Sequence, residues 1–147
     1  MSQPNEPLIL LDQAFLDRVF TELSSLEVQL DPDPIVYGPK RLNGKTALAR
    51  EMLTTCERMF LDVSQKLAYY RRAERSAALI LDLSMKHLIA NDPETRSGRA
   101  VSEREAIASG KLKKEVQTVA NARNAISELE AVMDVIKAKR GDLRDIQ

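Results

Sequence analysis

From Lys45 to Ala90 the chain contains neither proline nor glycine, and its apolar residues recur in steps of three and four. The row runs Leu53, Cys56, Phe60, Val63, Leu67, Tyr70, Ala77, Leu81 and Leu88, with Glu74 and Ser84 as its polar exceptions. This spacing predicts one continuous helix, roughly 70 Å long at 1.5 Å per residue. A helix with an apolar seam of this length needs a second helix laid along it.

The rest of the chain supplies one. The segment NDPETRSGRAVS breaks the first helix, and the pattern resumes from Ser102 to Arg140. Ser102 and Glu105 have the spacing of a capping box. The second seam is Leu112, Val116, Val119, Ala122, Ile126, Leu129, Met133 and Ile136. Gly110 is its weak point. Gly141 reads as the C-cap, preceded by Lys137, Lys139 and Arg140, which suit the negative end of a helix. At the other end of the chain MSQPNEP reads as a disordered lead-in. A shorter helix follows, with Asp12 as N-cap and Phe15, Val19, Leu23, Leu26 and Leu30 on one face. DPDPIVYGPKRLNG then reads as a linker or a short extended excursion around Ile35–Tyr37. The expected architecture is therefore all-α: a long antiparallel helical hairpin over residues 45–147, oligomerising through that hairpin. Residues 1–44 add an acidic helix and a Pro/Gly-rich linker.

Composition narrows the chemistry. Cys56 is the only cysteine and His87 the only histidine among 147 residues. That leaves no internal disulfide and little material for a metal site, so no metal and no cofactor are expected. The two lie far apart on one helix and cannot form a nucleophile–base pair, and the carboxylates are scattered, so no catalytic residue is assigned. Gly38 to Thr46 imitates a phosphate-binding loop, but five residues separate its glycines where four are required. There is no basic leader followed by an apolar run and no span of membrane length, so the chain reads as soluble and cytoplasmic.

Lysines and arginines balance aspartates and glutamates overall, at 22 each, yet unevenly. Residues 1–47 carry four cations against seven acids; between Arg58 and Arg75 five cations face only Asp62 and Glu74. That stretch includes QKLAYYRRAERS. With the seam through Leu67 and Tyr70, Arg72 projects outward beside Tyr69, Arg75 and Arg58, and Arg71 lies at the boundary. Cations beside an exposed aromatic suit single-stranded nucleic acid, whose phosphates and unstacked bases they can engage together. The predicted contact set is Arg58, Lys66, Tyr69, Arg71, Arg72 and Arg75; a plain solvated helix face is the competing reading. Just beyond, AALILDLSMKHLI is apolar on more than one face, which points to assembly between copies through Leu79, Leu83 and His87. The alternative is that the N-terminal helix folds back over this second face.

Around the tyrosines the chain resembles the UvsY-type recombination mediators of tailed bacteriophages. Their central helix carries Lys-x-Arg-Leu-x-Tyr-Tyr; here the stretch reads Ser64-Gln65-Lys66-Leu67-Ala68-Tyr69-Tyr70. Asp134 to Gly141 is similar to the family's closing Asp-x-Ile-Lys-Ser-Arg-Gly, and the likeness covers roughly residues 45–147. Ser64 replaces the family's first cation, a loss that Arg71, Arg72 and Arg75 are placed to offset. The resemblance implies a ring-forming homo-oligomer acting in DNA recombination and repair. Such a protein binds single-stranded DNA, loosens its single-strand-binding protein and helps load a RecA-like recombinase. The alternative is a helical scaffolding or adaptor protein of a phage that touches no nucleic acid.

Overall fold

The computed structural model describes residues 9–26 and 34–145, and the side chains of 9–26 and 47–145. The expected lead-in at residues 1–7 and Leu30 lie outside them. Among the described residues every regular element is a helix: α1 (Gln13–Ser25), α2 (Pro34–Asn91), α3 (Pro93–Arg96), α4 (Val101–Lys111) and α5 (Lys113–Asp145). The long helix α2 is paired with α5.

Helix α1 begins where the sequence places it, with the Asp12 carboxylate accepting the Phe15 N–H at 3.1 Å. It buries Leu16, Val19 and Leu23, and Leu26 is buried just past its end. Burying such a side chain is favourable by about 1.5–3 kcal/mol, so packing holds this short helix where propensity alone would not.

The expected linker is corrected from Pro34 onward, and its first three residues, 31–33, lie outside the described residues. Helix α2 starts at Pro34, so Ile35–Tyr37 is helical and Gly38, Pro39 and Gly44 lie inside the helix. Pro34 sits at the first helical position, where its missing N–H has no intrahelical acceptor to lose. The interior glycines weaken the turn by about 1 kcal/mol each relative to alanine. A nucleus already formed downstream can extend through them without repeating the nucleation step.

The second long helix is also interrupted. Leu112 leaves helical geometry, its N–H shared between Ala108 O and Ser109 O at 3.1 and 3.2 Å, and α5 resumes at Lys113. The interruption falls two residues beyond Gly110, where the backbone is least constrained. The Ser102–Glu105 capping box does not form. Ala100 is the N-cap without a side-chain bond, and Glu103 instead accepts the Arg99 N–H at 2.9 Å. Arg104 Nε donates to Gly98 O at 2.8 Å, and the N-cap lies two residues nearer the bend than Ser102. Gly141 does not end α5, which continues to Asp145 and buries Leu143. That burial outweighs the roughly 1 kcal/mol helix penalty of one glycine.

The described residues fall into two compact units. The first joins Met1–Leu11 to Ala68–Ser127, and the second joins Asp12–Leu67 to Glu128–Gln147. In the second unit, Met59, Val63, Leu129, Val132 and Ile136 are buried, and the Cys56 thiol donates to Ile136 O at 3.5 Å. Burial pushes that thiol's pKa up, as expected for a cysteine packed as a small hydrophobe. At the unit's edge the Arg140 guanidinium lies 4.7 Å from the centre of the Phe60 ring, and Arg144 reaches Glu57 at 3.3 Å.

In the first unit, Ala77, Ala108, Ala122 and Ala125 are buried, as are Tyr70 and Val119. Val116, expected in the seam, is exposed. The bend after α2 is held by Asp92, which caps α3 by accepting from Thr95 N at 3.0 Å and Thr95 Oγ1 at 2.7 Å. Lys111 donates to Asp92 at 2.6 Å and to Glu94 at 2.8 Å.

These bonds favour the ionised carboxylate, and the Lys111 ammonium first of all holds the Asp92 pKa down to about 2 from 3.8. A carboxyl with a depressed folded pKa stabilises above its ordinary value and loses that contribution as pH falls toward the folded one. Thermal melts should therefore fall between about pH 4 and pH 2, and Asp92→Asn should flatten that part of the profile. An unchanged acid profile in the variant would remove the bend as its source.

Candidate nucleic-acid interface

The six predicted contact residues divide between the two units, and the structure treats them differently. Arg58 and Lys66 belong to the second unit, Tyr69, Arg71, Arg72 and Arg75 to the first.

In the first unit the tyrosines part as the seam requires. Tyr70 is buried and its hydroxyl donates to Leu10 O at 2.8 Å, so the ring is anchored at its far end. Tyr69 is 55% exposed and meets the Tyr70 ring edge-on, centroids 5.2 Å apart at 82°. One tyrosine thus braces the other. Arg71, Arg72 and Arg75 are exposed, and among the described residues Arg72 and Arg75 make no ion pair. The one nearby acid, Glu74, turns inward and accepts from Arg123 Nε at 3.1 Å.

Continuing along α2, exposed residues recur at Tyr69, Arg72, Ser76, Leu79, Leu83 and His87, again in steps of three and four. This second row lies opposite the buried seam. Its first half is aromatic and cationic; its second half is apolar, with Leu79, Ile80 and Leu83 each more than half exposed. His87 is exposed and interacts with Asn91 one turn on, at 3.2 Å. An open groove of about 420 Å³ in this unit is lined by Ile9, Ala73, Ala77, Ile80 and Thr118.

The second unit presents its two cations already engaged. Arg58 donates to Glu22 of α1 at 2.6 Å and to Asp62 at 3.3 Å. Lys66 donates to Asp12 at 3.0 Å and lies 5.2 Å from the centre of the Phe15 ring. The Lys66 hydrogen bond, followed by that from Phe15 N–H, lowers the Asp12 pKa.

No family model, curated protein or solved structure matches the chain.

The carboxylates of Asp12 and Glu22 were not legible as site residues. The Arg58–Asp62 pair has the helical i,i+4 spacing and was readable. The other two pairs span 36 and 54 residues and exist only through the docking of α1. No helix among the described residues is long and apolar enough to cross a membrane.

Proposed function

We propose that the chain is an oligomeric, single-stranded DNA-binding recombination mediator that helps load a RecA-like recombinase in place of single-strand-binding protein. The observation that carries this reading is the exposed, braced Tyr69 beside Arg72 and Arg75. An edge-packed tyrosine loses little further freedom when a base stacks on it, and the two guanidiniums lie within a turn for the adjoining phosphates. The resemblance to UvsY-type mediators points the same way.

In this reading α2 and α5 form a long antiparallel hairpin, and copies assemble, into a ring or a similar array, through Leu79, Leu83 and His87. Assembly is what makes a neutral chain effective on a polyanion. Each copy offers only a few cations, but adjacent copies bind one strand at high effective concentration, so modest sites sum to useful avidity. The cationic row and the apolar row share one face of α2, and assembly through one sets the spacing of the other.

A labelled oligo-dT strand titrated by fluorescence anisotropy tests the reading. Binding should exceed that to duplex and weaken with salt, and Arg72→Ala/Arg75→Ala should lower the log–log salt slope by about 1.4. Tyr69→Ala should weaken binding by about 1–3 kcal/mol per stacked base. Unchanged affinity in both variants would reject the site.

The exposed row Leu79, Ile80 and Leu83 also favours a second reading, a helical scaffolding or adaptor protein that only assembles. Both readings include oligomers. The titration separates them, because a scaffold leaves the anisotropy of the strand unchanged.

A further inference from the structure

The carboxylates of α1 occupy the same kind of partner that a nucleic-acid phosphate would seek. Asp12 and Glu22 sit about three helical turns apart along α1, and their oxygens meet Lys66 Nζ at 3.0 Å and Arg58 Nη2 at 2.6 Å. Neither pair is buried: the four side chains keep 36–55% of their surface exposed. Exposed pairs of this kind are weak and exchange readily, whereas the helix that carries them is seated by Leu16, Val19 and Leu23. The carboxylates can therefore yield while α1 stays docked.

We propose that α1 is a built-in phosphate mimic: Asp12 and Glu22 hold Lys66 and Arg58 in the free chain, and single-stranded nucleic acid must exchange its phosphates for these carboxylates to use the two cations. This rests on the proposed single-stranded DNA binding. It makes the acidic N-terminal helix a governor of affinity, matching a protein that must hold a strand yet surrender it to another. The lowered pKa of Asp12 accords with a carboxylate kept ionised against its lysine at neutral pH. Asp62, one turn along the same helix, also pairs with Arg58 at 3.3 Å.

The test compares the full-length chain with Asp12→Asn/Glu22→Gln, using fluorescein-labelled oligo-dT at low salt. Asparagine remains an N-cap acceptor for the Phe15 N–H, so the helix is retained, and circular dichroism checks that it is. The charge-matched control is Asp17→Asn/Glu128→Gln, whose carboxylates meet no lysine or arginine among the described residues. The expected result is a gain of about two- to twentyfold in affinity for the first variant beyond the control. Adding Arg58→Ala/Lys66→Ala to that variant should abolish the gain.

Equal affinities of the wild type and the two acid variants would overturn the mimicry while leaving the binding reading intact. A gain equal to the control's would also overturn it, as a general charge effect. Absence of binding in every variant overturns both proposals. Binding that appears only once Asp12 and Glu22 are neutralised supports the mimicry in its strongest form.

Discussion

Ile136→Ala lowers the free energy of unfolding by about 2–5 kcal/mol. Ile136 is fully buried on α5, within a second-unit core that includes Met59, Val63, Leu129 and Val132. Its carbonyl also accepts from the Cys56 thiol at 3.5 Å, so α2 and α5 meet beside this side chain. Truncation removes three carbons from a site whose neighbours are held by two long helices. Neither helix can bend inward far enough to refill the space, so both the transfer and the cavity contributions are lost. Val135 is the internal comparison. It is one residue earlier, 48% exposed, and Val135→Ala should change stability by no more than about 0.5 kcal/mol. Urea unfolding followed by circular dichroism reads both. A loss below about 1 kcal/mol at Ile136 would mean that α5 is not packed on α2 as described.

The second large effect is predicted at the bend. Gly98 is buried, and a Cβ placed there would stand 3.0 Å from both the backbone nitrogen and Cγ of Arg104, and 3.3 Å from its Cα. The nitrogen and Cα belong to the first turn of α4 and cannot swing aside as a side-chain tip could. Arg104 is further tied by its own Nε bond to Gly98 O at 2.8 Å. Gly98→Ala therefore pushes the bend away from α4, at a cost of about 1–3 kcal/mol. Gly110 and Gly141 give the opposite expectation. Both lie inside helices, nothing comes within 4 Å of an added Cβ, and alanine at either should stabilise by about 0.4–1 kcal/mol. Melting temperatures of the three variants, measured together, make the comparison independent of assay offsets. The ordering fails if Gly98→Ala melts no lower than the wild type.

Bonds local in sequence were readable, and several appear as read. The Asp12 cap needs only a carboxylate three residues before a helical N–H. The split between Tyr69 and Tyr70 follows from a period near 3.5, which sends adjacent residues to different faces. The errors came where a local rule competed with a distant contact. Gly141 has the chemistry of a helix stop, yet Leu143 beyond it finds a buried place. Ser102 and Glu105 have capping spacing, yet Arg104 is drawn to Gly98 and the helix starts earlier. The Pro/Gly composition around Pro34 suggests a linker, yet Pro34 stands at the first helical position, which suits proline.

The candidate site divides the same way. Alternation of seam and surface determined that Arg72, Arg75 and Tyr69 would face outward, because side-chain direction on a helix depends on spacing alone. Only the tertiary structure decided that Arg58 and Lys66 would meet acids, because Glu22 and Asp12 reach them across 36 and 54 residues of chain. Periodicity assigns a residue to a face; which helix then covers that face depends on which apolar surfaces find one another.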